Sequence, residues 1–354
     1  MSQLRLDPLT GRWVTIAAER ATRPADFAPR RLPVETGTPR PCPFCPGHEE
    51  DTPPALETYL RDGSWLVRVV PNLYPAFSGS GDLEITRLGP IFEQAPANGI
   101  HEVLMLTPRH DVGWAELGDK EVGLVMAAIR DRLENHARQS AVIYTQTIVN
   151  HGREAGASLE HPHGQLLGIP FVPGELIDEL AGFARFAAAA AAPATDRPDE
   201  SDDARRPDGS HGRPDGPGEC LLCRLVEIER HDDHRVVLDT GRVLVVCPFW
   251  SGSPYELLVV PIDHERHLTQ ASPADLVATG RALRDVLARL RKVIGDVAYN
   301  LVFHTAPHHD DDGGFHWHVH VVPRITTFAG FEQGTGVRIN IVAPESAATE
   351  LRAP

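Results

Sequence analysis

The chain has 354 residues, enough for two ordinary domains, and 42% of them are hydrophobic, enough for a buried core. A net charge of −15 argues against nucleic acid as the main partner, although local arginines and backbone N–H groups can still hold a phosphate. No apolar stretch reaches membrane-spanning length, and Met1-Ser2-Gln3-Leu4-Arg5 lacks the apolar core of a signal peptide, so the expectation is a cytoplasmic protein with no membrane partner.

Along the chain, the first chemical signal is Cys42-Pro43-Phe44-Cys45, a knuckle in a Pro-rich, Gly-flanked loop. Its spacing lets two thiolates bind one tetrahedral zinc ion. A disulfide or two free thiols is the plainer reading, but a two-residue gap favours metal or redox use in a reducing compartment. The Pro-rich flanks count against a thioredoxin-like redox role. A β-type run over 103–107 then leads to His110. A helix is expected over 119–139, where Val122, Leu124, Val125, Ile129 and Leu133 share one side. A second β-type run, 142–149, and a Gly-containing loop lead into His161-Pro162-His163-Gly164-Gln165. In an extended segment alternate residues share a face, so His161, His163 and Gln165 point the same way. One can hold a metal, one can attack an electrophile and one can hydrogen-bond an oxygen. The plainer reading, histidines in a surface loop or in satisfied core positions, explains none of the surrounding pattern.

An alanine run over 187–192 and a stretch over 196–219 rich in Pro, Asp, Arg and Gly read as an insert or linker. The organisation is therefore a first half over 1–181, a disordered linker over 182–219 and a second half over 220–354. The second half repeats the order of the first. Cys220-Leu221-Leu222-Cys223 is followed by a β-type run over 257–260, His264, a helix over 273–294, a β-type run over 298–303, and His316-Trp317-His318-Val319-His320. Fifty-one positions separate His110 from His161 and fifty-two separate His264 from His316. Such a repeat predicts an α+β fold of two halves, each an antiparallel sheet with a long helix. It assigns one structural zinc to Cys42, Cys45, His110 and His161, and another to Cys220, Cys223, His264 and His316. Cys247 is left over in an apolar run and reads as a buried thiol.

These residues resemble the galactose-1-phosphate uridylyltransferase family, with its duplicated histidine-triad fold. Arg20-Ala21-Thr22-Arg23-Pro24 looks like the family's phosphate-holding Arg-x-x-Arg-Pro element, and Asn72-Leu73-Tyr74-Pro75-Ala76 is similar to its segment beside the nucleotide. Asn150, Ser158, His161, His163 and Gln165 match, in order and spacing, the family's phosphate-contacting Asn and Ser, metal His, nucleophile and Gln. Phe328 and Glu332 match its hexose-contacting stretch. Two features depart from the common pattern. Leu159-Glu160 stand where Asn-Pro is usual, and Gln333-Gly334-Thr335-Gly336 looks like a branch that includes ADP-glucose phosphorylase, as does the second Cys-x-x-Cys. Some members hold a different metal, with iron as the alternative, through residues that here would be Glu179, His304, His318 and His320. The repeat-matched zinc set is preferred for the second half, which leaves His318 as a vestige of duplication or a structural histidine.

The resemblance implies a nucleotidyltransferase that exchanges a nucleotidyl group between a nucleotide sugar and a sugar 1-phosphate through a covalent nucleotidyl-histidine, as in galactose metabolism. Catalysis would rest on His163, Gln165 and Ser158, and substrate binding on Arg20, Arg23, Asn72, Asn150, Phe328 and Glu332. UDP-glucose–hexose-1-phosphate uridylyltransferase is the first reading; ADP-glucose phosphorylase, an adenylyltransferase or a dinucleotide hydrolase are the alternatives, and a homodimer is left open. A phosphate leaving group is weakly basic, so a neutral imidazole can attack the α-phosphorus without a strong general acid. The remaining task is to stabilise charge on the non-bridging oxygens, for which neutral donors and arginines suffice. Simpler histidine-triad hydrolases usually carry a histidine at the position of Gln165, so Gln165 argues for transfer.

Overall fold

Alternation along the strands decides where the site lies, because one side of each strand is apolar and the other carries the imidazoles and amides. A computed structural model describes residues 2–22, 41–191, 220–310 and 314–353. The first half opens with β1 (Gln3–Leu6) and β2 (Trp13–Ile16), then β3 (Glu57–Arg61) and β4 (Ser64–Pro71), a small hairpin of β5 (Thr86–Leu88) and β6 (Phe92–Gln94), and β7 (Ile100–Met105). Helix α1 (Asp119–Ala137), β8 (Tyr144–His151), β9 (His163–Ile169) and α2 (Gly174–Ala191) follow. The second half contains α3 (Leu221–Asp232), β10 (Val236–Asp239), β11 (Val243–Val246), β12 (Leu257–Pro261), α4 (Pro273–Ile294), β13 (Tyr299–His304) and β14 (His318–Pro323). It closes with α5 (Gly330–Thr335), β15 (Arg338–Asn340) and α6 (Pro344–Arg352).

The two halves share one ten-stranded sheet, ordered β10-β11-β12-β14-β13-β8-β9-β7-β4-β3. Read from its middle outwards, the order is the same in both directions: β13, β14, β12, β11, β10 on one side and β8, β9, β7, β4, β3 on the other. The central strands β8 and β13 pair antiparallel, with Asn150 opposite Asn300 and Ile148 opposite Val302. A local two-fold relation therefore runs through the sheet between them. Outside it, β15 joins β2 in parallel and β1 completes a three-stranded sheet, so the end of the chain is stitched to its start.

One face of the large sheet is apolar. Leu104, Val149, Leu166, Val259, Leu301, Val319 and Val321 pack there against Val122, Val125 and Ile129 of α1 and Leu283, Val286 and Leu287 of α4. Helix α4 begins where Ser272 accepts a hydrogen bond from the Asp275 backbone N–H at 3.2 Å and Pro273 fills its first turn, and it stops at Gly295, whose φ is 80°. The two helices meet at Gly280, where an added Cβ would lie 3.1 Å from the Val122 carbonyl oxygen. The opposite face carries His163, Gln165, Asn150, Asn300, His304, His318 and His320, as the strand registers require.

The linker boundary needs correction. Helix α2 runs through position 182 to Ala191, and Leu176, Glu179, Gly182 and Phe183 are buried. Gly182 lies so close to Leu9 that any Cβ there would collide with the Leu9 carbonyl oxygen. The alanine run is helical because alanine has the highest helix propensity and this helix has an inward side to bury. Residues 192–219, the rest of the expected linker, lie outside the described residues. The long helices otherwise follow expectation, with α1 ending at Ala137 rather than 139.

Candidate active site and metal centres

His163 is the first residue of β9 and is buried. Its Nδ1 lies 2.8 Å from the carbonyl oxygen of His161, which can only accept, so Nδ1 carries the proton and donates. Nε2 is left with a lone pair. Burial holds the imidazole below its usual pKa, partly offset by that hydrogen bond, and keeps it neutral. Phe44, between the two cysteines of the first knuckle, sets its ring edge-on to His163 with centroids 5.4 Å apart. Trp65, Val70, Val103 and Met105 form a small apolar cluster with Phe44 on this side of the sheet. The site thus presents a neutral imidazole with a free lone pair against an apolar wall.

Two amides flank it. Val149 pairs with Gly164, so the next residue, Asn150, stands across from His163, while Gln165 lies two residues along the same strand face. Ser158 is exposed in the loop between β8 and β9. Asn72 follows β4 and lies 3.1 Å from His101, which in turn lies 2.8 Å from Gln165. Asn72, Asn150, His163 and Gln165 are therefore brought together, with Ser158 in the adjoining loop. Arg20 is exposed in a short 3-10 turn over Ala18–Thr22, and Arg23 lies outside the described residues. Phe328 and Glu332 are placed elsewhere. The Arg338 guanidinium lies over the Phe328 ring at 5.2 Å, and Glu332 accepts from the Ala329 N–H at the start of α5. Arg338 and Gly336 line a cavity of about 210 Å³ beside Glu179, His304 and His320, not beside His163.

Both expected Cys₂His₂ sets assemble. Cys45 Sγ lies 3.3 Å from His110 Nδ1 and 3.6 Å from His161 Nδ1. The His161 Nε2–H donates to the Thr107 carbonyl at 2.9 Å, which leaves Nδ1 free to ligate. In the second half Cys223 Sγ lies 3.5 Å from His264 Nδ1, and Cys220 and Cys223 lie 3.7 and 3.6 Å from His316 Nδ1. In each set the four ligand atoms lie within 4.8 Å of one another. Burial and Cys42 push the Cys45 thiol up, and Cys220 pushes the Cys223 thiol up, so neither pair ionises fully unless a cation lies between the sulfurs. Both sets fit a closed tetrahedral site.

The rival set in the second half forms as well. Glu179, His304, His318 and His320 also bring their ligand atoms within 4.8 Å. His304 Nδ1 lies 2.8 Å from Glu179 Oε1, and His318 Nε2 lies 3.1 Å from His320 Nε2. Glu179 Oε2 is buried without a hydrogen-bond partner, as a carboxylate oxygen aimed at a cation would be. The sequence reading treated this set and Cys220, Cys223, His264 and His316 as competitors. They share no residue and coexist. His318 donates from Nδ1 to the His316 carbonyl at 2.9 Å, just as His163 does to His161, and its Nε2 turns into this third cluster. It is a candidate ligand rather than a vestige.

Sequence reasoning missed His101, Asn300, Arg324 and Phe44. Phe44 lies inside the Cys-x-x-Cys motif, whose spacing speaks for the two thiols and not for the residue between them. His101 precedes the point where the β-type run was started. Asn300 and Arg324 meet the site only through the β8–β13 pairing, which no local pattern announces.

Models of the galactose-1-phosphate uridyl transferase N-terminal and C-terminal domains match residues 1–173 and 206–331. The chain belongs to this family of nucleotidyltransferases. Among its relatives, ADP-glucose phosphorylase of Arabidopsis thaliana is 29% identical over 99% of this chain and 92% of its own length. Galactose-1-phosphate uridylyltransferase of Thermotoga maritima is 27% identical over 99% and 98%. Among solved structures, ADP-glucose phosphorylase from Arabidopsis thaliana with bound ADP-glucose superposes with a TM-score of 0.79 at 27% identity, covering 100% of this chain and 99% of that one. A uridylyltransferase structure gives 0.71 at 25% identity, covering 100% and 98%. No helix among the described residues is long and apolar enough to cross a membrane.

Proposed function

We propose that this chain moves a nucleotidyl group from a nucleotide sugar to a phosphate acceptor through a covalent bond to His163. The observation that carries the reading is the His163 imidazole itself, buried and neutral, with Nδ1 tied to the His161 carbonyl and Nε2 presented between Asn150 and Gln165. In the first half-reaction Nε2 bonds to the α-phosphorus, and the bond to the sugar 1-phosphate breaks with its electron pair leaving on the phosphate oxygen. In the second, an oxygen of the acceptor phosphate attacks the same phosphorus and the imidazole leaves neutral. The side-chain amides and the Ser158 hydroxyl donate to the non-bridging oxygens in both steps. Zinc is the cation that the two Cys₂His₂ sets suit best. When bound at Cys42, Cys45, His110 and His161 it would hold the start of the strand that presents His163.

The first reading of the substrates is UDP-glucose with a hexose 1-phosphate. A second reading, ADP-glucose phosphorolysis, is favoured by the assembled Cys220, Cys223, His264 and His316 set and by the likeness to the Arabidopsis enzyme. The deciding experiment is to incubate the protein with labelled UDP-glucose or ADP-glucose, quench, and identify the nucleotide that stays on the chain. Label on His163 from one nucleotide assigns the base. Turnover of either donor with no labelled protein under single-turnover conditions sinks the covalent route.

A further inference from the structure

A side-chain amide presents a donor at one end and an acceptor at the other, and the two ends have nearly the same shape. Beside an anionic phosphoryl group only the N–H end is useful, since the carbonyl end repels it. Something must therefore decide which way Asn150 and Gln165 face. Two hydrogen-bond chains do this, and each is anchored on a group whose donor role cannot be reversed.

The first chain starts at the Ala76 backbone N–H, which donates to His101 Nδ1 at 3.0 Å. Nδ1 is then the acceptor, and Nε2 carries the proton. His101 Nε2 lies 2.8 Å from Gln165 Oε1, so Gln165 accepts there and its NH₂ is left for the site. Asn72 cannot take that proton instead. Its Oδ1 accepts from the Tyr74 N–H at 2.9 Å, so the Nδ2 that faces His101 is itself a donor.

The second chain comes from the other half of the molecule. Arg324 has no acceptor atom, and its Nε donates to Asn300 Oδ1 at 2.6 Å. Asn300 Nδ2 is then fixed as the donor end, and it bonds Asn150 Oδ1 at 2.7 Å and the Ala155 carbonyl at 2.8 Å. Asn150 is left with Nδ2 towards the loop that carries Ser158. A Cβ added at Gly156 in that loop would lie 3.8 Å from this nitrogen.

We propose that Arg324 and Asn300 of the second half, together with His101 of the first, are positioning residues that hold Asn150 and Gln165 with their N–H ends towards the group transferred at His163. The inference rests on the proposed role of His163. It gives the second half a part in the chemistry that its own metal clusters do not supply.

The test uses the full chain and follows the rate at which labelled ADP-glucose and UDP-glucose each place nucleotide on His163 in a single turnover. Asn300→Asp keeps the shape at position 300 and pairs with Arg324, but offers Asn150 an acceptor in place of a donor, so the Asn150 amide turns over. The expected result is labelling slowed about a hundredfold, the scale of losing one donor to a developing oxyanion. Nucleotide-sugar Kd should change far less, and because the bond to the Ala155 carbonyl is lost the thermal midpoint should fall, so the rate is compared per folded molecule. His101→Phe should slow labelling about tenfold, again with little change in Kd. A purely structural role would lower the midpoint and leave the rate per folded molecule unchanged. Equal labelling rates in wild type and Asn300→Asp overturn this inference alone. A wild-type chain that turns over its donor without ever carrying label overturns the reading of His163 and this inference with it.

Discussion

The same three sheet positions are filled differently in the two halves. In the first half the residue across from the strand-opening histidine is Asn150, the histidine is His163, and the residue two further along is Gln165. In the second half these positions hold His304, His318 and His320. Both strand-opening histidines donate from Nδ1 to the carbonyl two residues back, at 2.8 and 2.9 Å. The backbone device that frees Nε2 is thus common to both, and the neighbours decide what the lone pair meets. Between two amides it meets neutral side chains. Between two imidazoles and the Glu179 carboxylate it faces a set of ligands. Gln165 and His320 stand in one cross-strand row with Ile148 and Val302 between them, about 14 Å apart at ordinary strand spacing.

The largest effect that separates the halves should come from the histidines themselves. His163→Asn is expected to lower nucleotidyl transfer by on the order of 10⁴-fold, since the proposed covalent step has no substitute. His318→Asn should spare the chemistry and cost metal content and thermal stability, because His318 sits among Glu179, His304 and His320. Exchange assays and elemental analysis on both variants check this. If the two swap behaviour, the working half has been assigned wrongly.

Elemental analysis of the wild-type chain should find three metal equivalents, one for each cluster. The two Cys₂His₂ sites should part under a chelator. His161 Nε2 is anchored on the Thr107 carbonyl, whereas His316 Nε2 is buried without a hydrogen-bond partner. Loss of such an outer anchor weakens a site by roughly tenfold or more, so the second-half Cys₂His₂ site should empty first. Metal release that runs in the opposite order would break the comparison at this point. Cys42→Ser should remove one equivalent and lower the thermal midpoint by roughly 5 °C, because a closed site contributes folding free energy.

The halves should also differ in acid. His267 stands three residues after His264, where the first half has Gly113 three residues after His110. Burial holds His267 down at about 4, and burial together with His267 holds His308 down at about 3. A buried histidine whose folded pKa lies below its unfolded value near 6.5 binds fewer protons when folded. Its stabilising share is complete above that value and is lost as pH falls from about 6.5 towards 3. His308 also lies 2.8 Å from Thr145 Oγ1, a contact between the halves. Urea unfolding should therefore show about 2 kcal/mol lost to this residue between pH 7 and pH 5. His308→Gln should flatten that slope, and an unchanged slope would count against the assignment.

The smallest and most specific effect concerns Gln165. Gln165→His gives the first half the His-x-His spacing of the second without supplying a carboxylate like Glu179. An imidazole there can pass protons to and from water, so the ratio of free nucleoside monophosphate to exchanged nucleotide sugar should rise several-fold, roughly, over wild type. An unchanged ratio would show that Gln165 does not hold back hydrolysis.

Much of this arrangement was legible because its parts are local. A Cys-x-x-Cys knuckle, a histidine ending a β-type run and an alternating histidine pair each occupy a few residues, and the chain writes the series twice. The long helices were legible from periodicity. What escaped depends on approach in space. Glu179 joins His304 across 125 positions, a set that only the family resemblance named, because nothing near either residue announces the meeting. His316 and His318 are two apart, one just before β14 and one opening it, yet one joins the Cys₂His₂ set and the other the third cluster, so the sequence reading made rivals of two compatible sites. The alanine run was misread because alanine's helix propensity shows no stripe until Leu176, Glu179 and Phe183 are counted with it.

The mirrored strand order has one further consequence. A pair of separate, identical chains closed around a two-fold axis must carry every substitution twice, so any change that suits one side is imposed on the other. Here the two sides of the axis are encoded separately in one polypeptide. Asn150 and Gln165 can be kept on one side while His304 and His320 occupy the other. Fusion frees each side to specialise while the strands across the joint still hold them in register.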